Sequence, residues 1–241
     1  MEFDNRLFRL GEELHTSIRL IEKGLAELQA IDEVNDFYYP PLLLLSTGLE
    51  RLMKCILCFR AKAATGSLPT RKTIKAYGHD LEKLRDEVVK RCFDEAYRTS
   101  RPVANTDAAF LASDLRLRDL LTALSRFAES SRYYNLDVVG GYQPATDDPE
   151  QEWQQLEMTL VSERPELLAA LSSPGSLASV YDVIGREFVG RIEVLARALC
   201  RLFTLGPLGD EAAQYTAYIT PFLFLKDDDV GKRDYRETAH V

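Results

Sequence analysis

The spacing of apolar residues in the first segment of the chain is the feature that most constrains its fold. From Leu7 to Leu28 the apolar side chains recur every three or four residues, which is the period of an α-helix and not of a strand. This segment predicts a helix of about seven turns with one apolar face. The same period continues through three later segments, at residues 40–66, 106–132 and 177–206. Four long helices with almost no alternation of period two predict an all-α fold, a bundle with short accessory helices.

Shorter segments connect these helices. Asp80 is the predicted N-cap of a further helix over residues 80–93, and a short helix is predicted around Trp153. Residues 66–78 contain Gly, Pro and three cations, so they predict a connector. Residues 132–150 are rich in turn formers and tyrosines and predict a long irregular segment, a kind of loop that is often functional or disordered.

The length of 241 residues suits one large domain. We expect a single bundle over residues 1–225, with an insertion at about 132–175. The last residues, 226–241, are charged and predict a flexible tail, and residues 219–225 (ITPFLFL) predict an extended apolar strip before it.

The charge of the chain restricts its partners. The formal net charge is −8, which argues against a protein coated for duplex nucleic acid but leaves room for a local basic site. The longest uncharged run, Leu167 to Tyr181, has 15 residues, and a membrane-spanning helix needs about 20. The N-terminus begins with acids where a signal peptide would carry Lys or Arg. We therefore expect a soluble, cytoplasmic protein without a membrane partner.

The usual templates for metal and cofactor chemistry do not occur in the sequence. Cys55 and Cys58 form a CxxC pair, but they lie in an apolar helical run without a second pair nearby, so reduced core thiols are expected. The chain has three His and lacks HExxH, GxSxG, a dinucleotide glycine turn and a phosphate-binding GxxxxGK[ST] loop. We expect no metal and no cofactor.

A cluster of cations without acids stands out in this acidic chain. Between Arg51 and Gly78 there are seven Lys or Arg and no Asp or Glu. We call these seven residues the basic island: Arg51, Lys54, Arg60, Lys62, Arg71, Lys72 and Lys75. They predict contacts to phosphates of RNA or a nucleotide, or else a solvated connector whose cations pair with acids elsewhere.

Three short motifs around this island resemble the HEPN superfamily, the "higher eukaryotes and prokaryotes nucleotide-binding" helical domains. They are the helix LSTGLERLMKCIL, the following GHDLEKL and the later SRYYN. The matching residues are Glu50 and Lys54, then Gly78, His79, Asp80 and Leu81, then Arg132 and Tyr133. The resemblance covers roughly residues 4–134.

The resemblance implies a four-helix bundle that is commonly a homodimer, with members that bind nucleotides, cleave RNA without metal, or mediate contacts. Its ribonucleases have an Arg followed by a His with four to six residues between them, so that the guanidinium neutralises a phosphate while the imidazole moves a proton. Here Arg132 is followed by Tyr-Tyr-Asn-Leu-Asp, without that His. Two other pairs have the spacing, Arg9 with His15 and Arg233 with His240.

The leading hypothesis is an HEPN-like protein that binds RNA or a nucleotide phosphate, with cleavage not favoured. The alternatives are a non-catalytic, dimeric interaction module that docks a protein partner through residues 219–225 or the tyrosine-rich loop, and a metal-independent endoribonuclease of toxin or phage-defence type that uses His79 or His240. The predicted catalytic residues are His79 and Arg132. The predicted phosphate- or RNA-binding residues are Glu50, Arg51, Lys54, Asp80 and Tyr133.

Overall fold

The all-α fold is confirmed by the computed structural model of the protein. It describes residues 5–129, 133–142, 148–173 and 175–237, and these contain thirteen α-helices and no strand. The helices are α1 (Asn5–Gln29), α2 (Tyr39–Thr65), α3 (Arg71–Ala76), α4 (Leu81–Cys92), α5 (Glu95–Ser100), α6 (Pro102–Ser113), α7 (Leu115–Glu129), α8 (Tyr134–Val139), α9 (Pro149–Ser162), α10 (Pro165–Leu171), α11 (Leu177–Thr204), α12 (Asp210–Ala213) and α13 (Thr216–Leu223).

Helix α2 lies at the centre of the bundle. Its first turn contains two prolines, whose missing N–H groups and fixed φ suit a helix start. Most of its surface is apolar, and it packs against α1, α4, α7 and α11. A helix that is apolar on nearly every side must be covered on nearly every side, as the sequence predicted.

Two glycines allow α1 and α2 to approach closely. A Cβ atom on Gly24 would lie 2.7 Å from Cγ of Leu45, and one on Gly48 would lie 2.8 Å from Cγ1 of Ile21. Each glycine therefore accommodates a side chain of the facing helix. The resulting antiparallel pair is the most extensive helix contact in the bundle.

One helix was predicted over residues 106–132, and the described part of this segment, up to residue 129, belongs to two helices, α6 and α7. The chain breaks at Asp114, where the backbone is extended and the side chain accepts a hydrogen bond of 2.8 Å from the backbone N–H of Leu117. Asp114 is thus the N-cap of α7. The apolar period runs through both helices and conceals this break.

Two predicted irregular segments contain short helices. The connector at residues 66–78 holds α3, which is capped by the Thr70 hydroxyl, and the segment at 132–150 holds α8. Both helices have six residues, too few for a periodic apolar pattern to indicate them.

The C-terminal part also differs from the expectation. Residues 219–225 mostly continue α13, with Ile219 and Phe222 fully buried, instead of forming an extended strip. The segment predicted as a flexible tail packs on the bundle as far as Glu237, with Tyr235 almost completely buried. The segment docks on α11, where Glu193 accepts hydrogen bonds from the Tyr235 hydroxyl (2.7 Å) and the Gly231 N–H (2.5 Å) and Arg197 pairs with Asp227 (2.7 Å).

None of the helices in the described ranges is long and apolar enough to cross a membrane. All four cysteines are free and buried, as predicted for core residues.

Candidate functional site

Three of the predicted site residues, Glu50, Lys54 and His79, lie together on the face of α2 that adjoins the start of α4. Both carboxylate oxygens of Glu50 are 3.1 Å from Nδ1 of His79, and Oε1 accepts a hydrogen bond of 2.8 Å from Nζ of Lys54. The Glu50 and Lys54 side chains are mostly buried, while 67% of the His79 side chain is exposed. We call these residues the Glu50 cluster.

The chain around His79 is held in place by local hydrogen bonds. Gly78 has a φ of 71°, a left-handed conformation that reverses the chain between α3 and α4. Asp80 then caps α4, accepting a hydrogen bond of 3.0 Å from the Lys83 N–H, and the N–H of Leu81 donates to the Ser125 hydroxyl at 2.8 Å. Asp80 is therefore the N-cap of α4. The hydrogen bond from the Lys83 N–H and the ion pair with the Lys83 ammonium together lower the pKa of Asp80, although its partial burial acts in the opposite direction.

The Glu50–His79 contact has a chemical consequence. When Nδ1 carries a proton that it donates to Glu50, Nε2 is left as a proton acceptor. The exposure of the ring leaves that nitrogen open to a ligand. Glu50 thus orients a histidine as a carboxylate does in many acid–base sites.

Four cations of the basic island are neutralised by acids. Arg51 pairs with Glu13 (3.1 Å) and Lys54 with Glu50 (2.8 Å). Arg60 lies 3.5 Å from Asp94, and Lys62 lies 3.7 Å from Glu211. For these four residues the structure favours the predicted alternative in which the cations pair with acids elsewhere in the chain.

The other three cations, Arg71, Lys72 and Lys75, all lie on α3 and are exposed. None of them has an acid within ion-pair distance among the residues that the structure describes. The start of α3 is fixed, since the Arg6 guanidinium donates to the Pro69 carbonyl at 2.8 Å. Because α3 ends three residues before His79, its cations and that imidazole lie within residues 71–79, and all four side chains are exposed.

The remaining predicted residues that the structure describes lie elsewhere. Arg132 and His240 lie outside the described residues. Tyr133 is exposed next to α8, at the end of the bundle where α2 begins. Of the two pairs with ribonuclease-like spacing, Arg9 binds Glu12 and His15 stacks on Tyr218 with ring centroids 4.7 Å apart, so these two side chains have separate partners.

A second surface includes part of the tyrosine-rich loop, which the sequence analysis named as an alternative docking surface. Phe37 and Tyr39, with Tyr133, Tyr134 and Leu136, line a cavity of about 180 Å³ between the start of α2 and α8. We call it the aromatic pocket. Its signal in the sequence is the set of tyrosines in residues 132–150, and nothing in the sequence pattern connects them with Phe37 and Tyr39.

The cysteines are not arranged for redox or metal chemistry. Burial raises the pKa of the Cys58 thiol to about 11 and of the Cys92 thiol to about 12. Thiols that hold their proton so firmly are poor nucleophiles. Within the described ranges, no group of three or more potential ligand side chains is placed to hold a metal ion.

Comparison with known proteins identified no relative of this chain. No family model, no curated protein and no solved structure matches the chain. The resemblance to the HEPN superfamily thus rests on its three short motifs.

Proposed function

We propose that the protein binds phosphate groups of RNA or a nucleotide through α3 and the adjoining His79. The observation that carries the proposal is the uneven pairing of the basic island. Acids neutralise its cations on α2, and its cations on α3 face solvent without a partner among the described residues. Unpaired cations on one short helix provide a local positive potential in a chain of net charge −8.

The chemistry of the three side chains suits a phosphate backbone. Arg71 offers a guanidinium fork for two phosphate oxygens, and Lys72 and Lys75 offer point charges. On a helix, positions 71, 72 and 75 lie within one turn, so an extended single strand can contact all three. Such binding depends on salt, since each neutralised phosphate releases counterions.

His79 has a more specific role in this proposal. Glu50 fixes its Nδ1, so Nε2 is available to a ligand held by α3. Lys54 moderates the negative charge of Glu50, which would otherwise repel a phosphate. In this role Glu50 and Lys54 orient His79 and do not touch the ligand.

The Glu50–His79 contact also favours metal-independent RNA cleavage as a second candidate function. Nε2 of His79 would accept the proton of a ribose 2′-hydroxyl, whose oxygen attacks the adjacent 3′-phosphate, while an α3 cation stabilises the charge that develops. The bond from phosphorus to the 5′-oxygen of the next nucleotide breaks, which leaves a 2′,3′-cyclic phosphate, and the departing oxygen takes a proton from water. The RNA supplies the nucleophile, so the protein needs none.

The proposal is tested by fluorescence anisotropy with a labelled single-stranded RNA at 50 and 200 mM salt. We expect the triple variant Arg71→Gln, Lys72→Gln, Lys75→Gln to bind at least about tenfold more weakly at 50 mM salt. The slope of log affinity against log salt should decrease by about 2, since each phosphate contact to a single strand contributes roughly 0.7.

The matched control removes the same charge from exposed lysines elsewhere, in the variant Lys23→Gln, Lys226→Gln, Lys232→Gln. It should bind within about twofold of the wild type. Equal losses in the two triple variants would show that only overall charge matters and would reject α3 as the binding surface.

The same RNA, recovered after incubation in EDTA, tests the second candidate. Cleavage products should form with the wild type and with His15→Gln, and they should be absent with His79→Gln. Intact RNA in every sample would reject cleavage and leave the binding proposal standing on the anisotropy.

The homodimer implied by the family resemblance and the cytoplasmic location expected from the sequence belong to the same proposal. Both stay predictions.

A further inference from the structure

The aromatic pocket is built from rings of two parts of the chain that meet at one end of the bundle. Tyr39, in the first turn of α2, lies between two other rings: the Phe37 centroid is 6.4 Å away in a stacked arrangement, and the Phe127 centroid is 5.3 Å away, edge to face. Tyr133 and Tyr134 line the pocket from the side of α8. Phe37 and Tyr133 are more than 60% exposed, so the rings are open to a ligand.

Acidic groups adjoin these rings. Asp148 and Glu150 line the pocket at the start of α9, and Asp36 precedes Phe37. Burial raises the pKa of the Glu150 carboxyl, and the negative charges of Asp148 and Asp36 raise it further. No Lys or Arg in the described ranges forms an ion pair with any of the three acids. The pocket therefore combines aromatic faces with negative charge that no cation of the described residues neutralises.

This combination selects the charge of a ligand. Aromatic faces are electronegative and attract cations placed within about 6 Å of the ring centre, and carboxylates add to the attraction. The cavity of about 180 Å³ is smaller than the roughly 300–1,000 Å³ typical of sites for whole small molecules. It fits a single head group better than a complete metabolite.

The surroundings of the pocket indicate where that head group comes from. Leu136, Val138 and Val139 of α8 and the nearby Tyr142 are all exposed. Exposed apolar side chains beside a specific pocket are typical of a protein interface, since a polypeptide covers both and a free small cation covers only the pocket. We propose that the aromatic pocket binds the cationic head group of a lysine or arginine side chain from a partner protein, whose backbone lies along α8.

This inference is independent of the proposed function. Tyr39 and Glu50 are both on α2, eleven residues or about 16 Å apart along the helix axis. Among the described residues, the three cations near the Glu50 cluster and the three acids near the aromatic pocket have no ion-pair partner, so the two sites attract ligands of opposite charge. Either site can fail its test without affecting the other.

The experiment is an NMR titration of the aromatic side-chain signals of the full chain with short capped peptides. The peptides share one apolar sequence and differ at one position, which carries arginine, lysine or the uncharged isostere norleucine. We expect saturable shifts of the Tyr39 and Tyr133 rings with the arginine and lysine peptides, and at least tenfold weaker binding of the norleucine peptide. Equal binding of the norleucine peptide would overturn the inference, because the pocket would then recognise only apolar groups.

Variants locate the binding site. Tyr133→Leu and Glu150→Gln should each weaken binding of the arginine peptide by at least fivefold. The controls are Tyr218→Leu and Glu166→Gln, which change exposed residues of the same types elsewhere and should leave the affinity for this peptide unchanged. Equal losses in both pairs would overturn the assignment to this pocket. Tetramethylammonium provides the free cation: binding as tight as that of the arginine peptide would overturn the claim that a protein supplies the ligand, and at least tenfold weaker binding would support it.

Discussion

Glu157 shows how a single buried acid ties the pH dependence of stability to the fold. It is 8% exposed, and it accepts a hydrogen bond of 2.9 Å from the Tyr38 hydroxyl. Burial raises the pKa of this carboxyl, and the hydrogen bond from Tyr38 offsets only part of that rise. The resulting pKa is about 7. The folded state therefore favours the neutral carboxyl, while in the unfolded chain the carboxyl ionises near its ordinary pKa of 4.5.

The first prediction follows from this difference. Between pH 4.5 and 7 the folded protein binds more protons at Glu157 than the unfolded chain does, so this group lowers the free energy of unfolding as the pH rises, by on the order of 3 kcal/mol in total. Glu157→Gln keeps a hydrogen-bond acceptor for Tyr38 and cannot ionise. Urea unfolding at pH 4, 6 and 8 should show the variant gaining stability relative to the wild type as the pH rises. Parallel pH profiles for the two proteins would contradict the prediction, and Glu166→Gln, at an exposed site, is the control.

At the scale of elements, the close packing of α1 and α2 gives the second prediction. Gly48→Ala would place a Cβ 2.8 Å from Cγ1 and 3.0 Å from the backbone nitrogen of Ile21. Backbone cannot move aside cheaply, so we expect a loss of about 1–3 kcal/mol despite the better helix propensity of alanine. Gly185→Ala on α11, where no atom lies within 4 Å of the new Cβ, should instead stabilise the protein by up to about 1 kcal/mol. Chemical unfolding measures both, and a stabilising Gly48→Ala would show that α1 and α2 are not in this contact.

The elements also show how far the sequence alone could reach. Helices α1, α2 and α11 were predictable because each carries an apolar face over 25 or more residues, where the period is unmistakable. The break at Asp114 was not, since one extended residue caps a helix without interrupting the apolar period around it. Helix α8 was missed because none of its residues is buried, so no packing constraint shapes its sequence.

The candidate site was also predictable only in part from the sequence. The contact of Glu50 with Lys54 follows from their helical spacing of four, but the contact with His79 depends on the turn at Gly78, whose direction sequence does not specify. The neutralisation of Arg51 and Arg60 by Glu13 and Asp94 depends on how distant helices pack. The aromatic pocket likewise joins residues about a hundred positions apart, a proximity that helical periodicity does not reveal.

At the scale of the whole molecule, the C-terminal segment links the first helix to the last long one. Gln29, at the end of α1, donates to the Arg233 carbonyl (2.7 Å) and accepts from the Tyr235 N–H (2.8 Å). The Tyr235 ring is buried, and its hydroxyl reaches Glu193 in α11. Arg197, one turn further along α11, donates to the Leu225 carbonyl (3.0 Å) and pairs with Asp227 (2.7 Å). Residues 225–235 thus satisfy polar groups that α11 would otherwise bury without partners.

The third prediction concerns this closure. Tyr235→Phe keeps the ring but leaves one oxygen of the fully buried Glu193 carboxylate without its donor, which should cost about 1–3 kcal/mol of unfolding free energy. Burial already raises the pKa of Glu193, so its contribution to stability declines as the pH rises, and losing the donor raises that pKa further. The destabilisation should therefore be larger at pH 8 than at pH 5, because a higher pH favours the charged carboxylate, which depends more on a hydrogen-bond donor. Tyr218→Phe, whose ring stacks on His15 at the surface, should change little at either pH. If Tyr235→Phe and the wild type have the same midpoint of urea unfolding at pH 8, the hydroxyl does not hold residues 225–235 in place. The docking of this segment must then come from the buried Tyr235 ring and the Gln29 contacts alone.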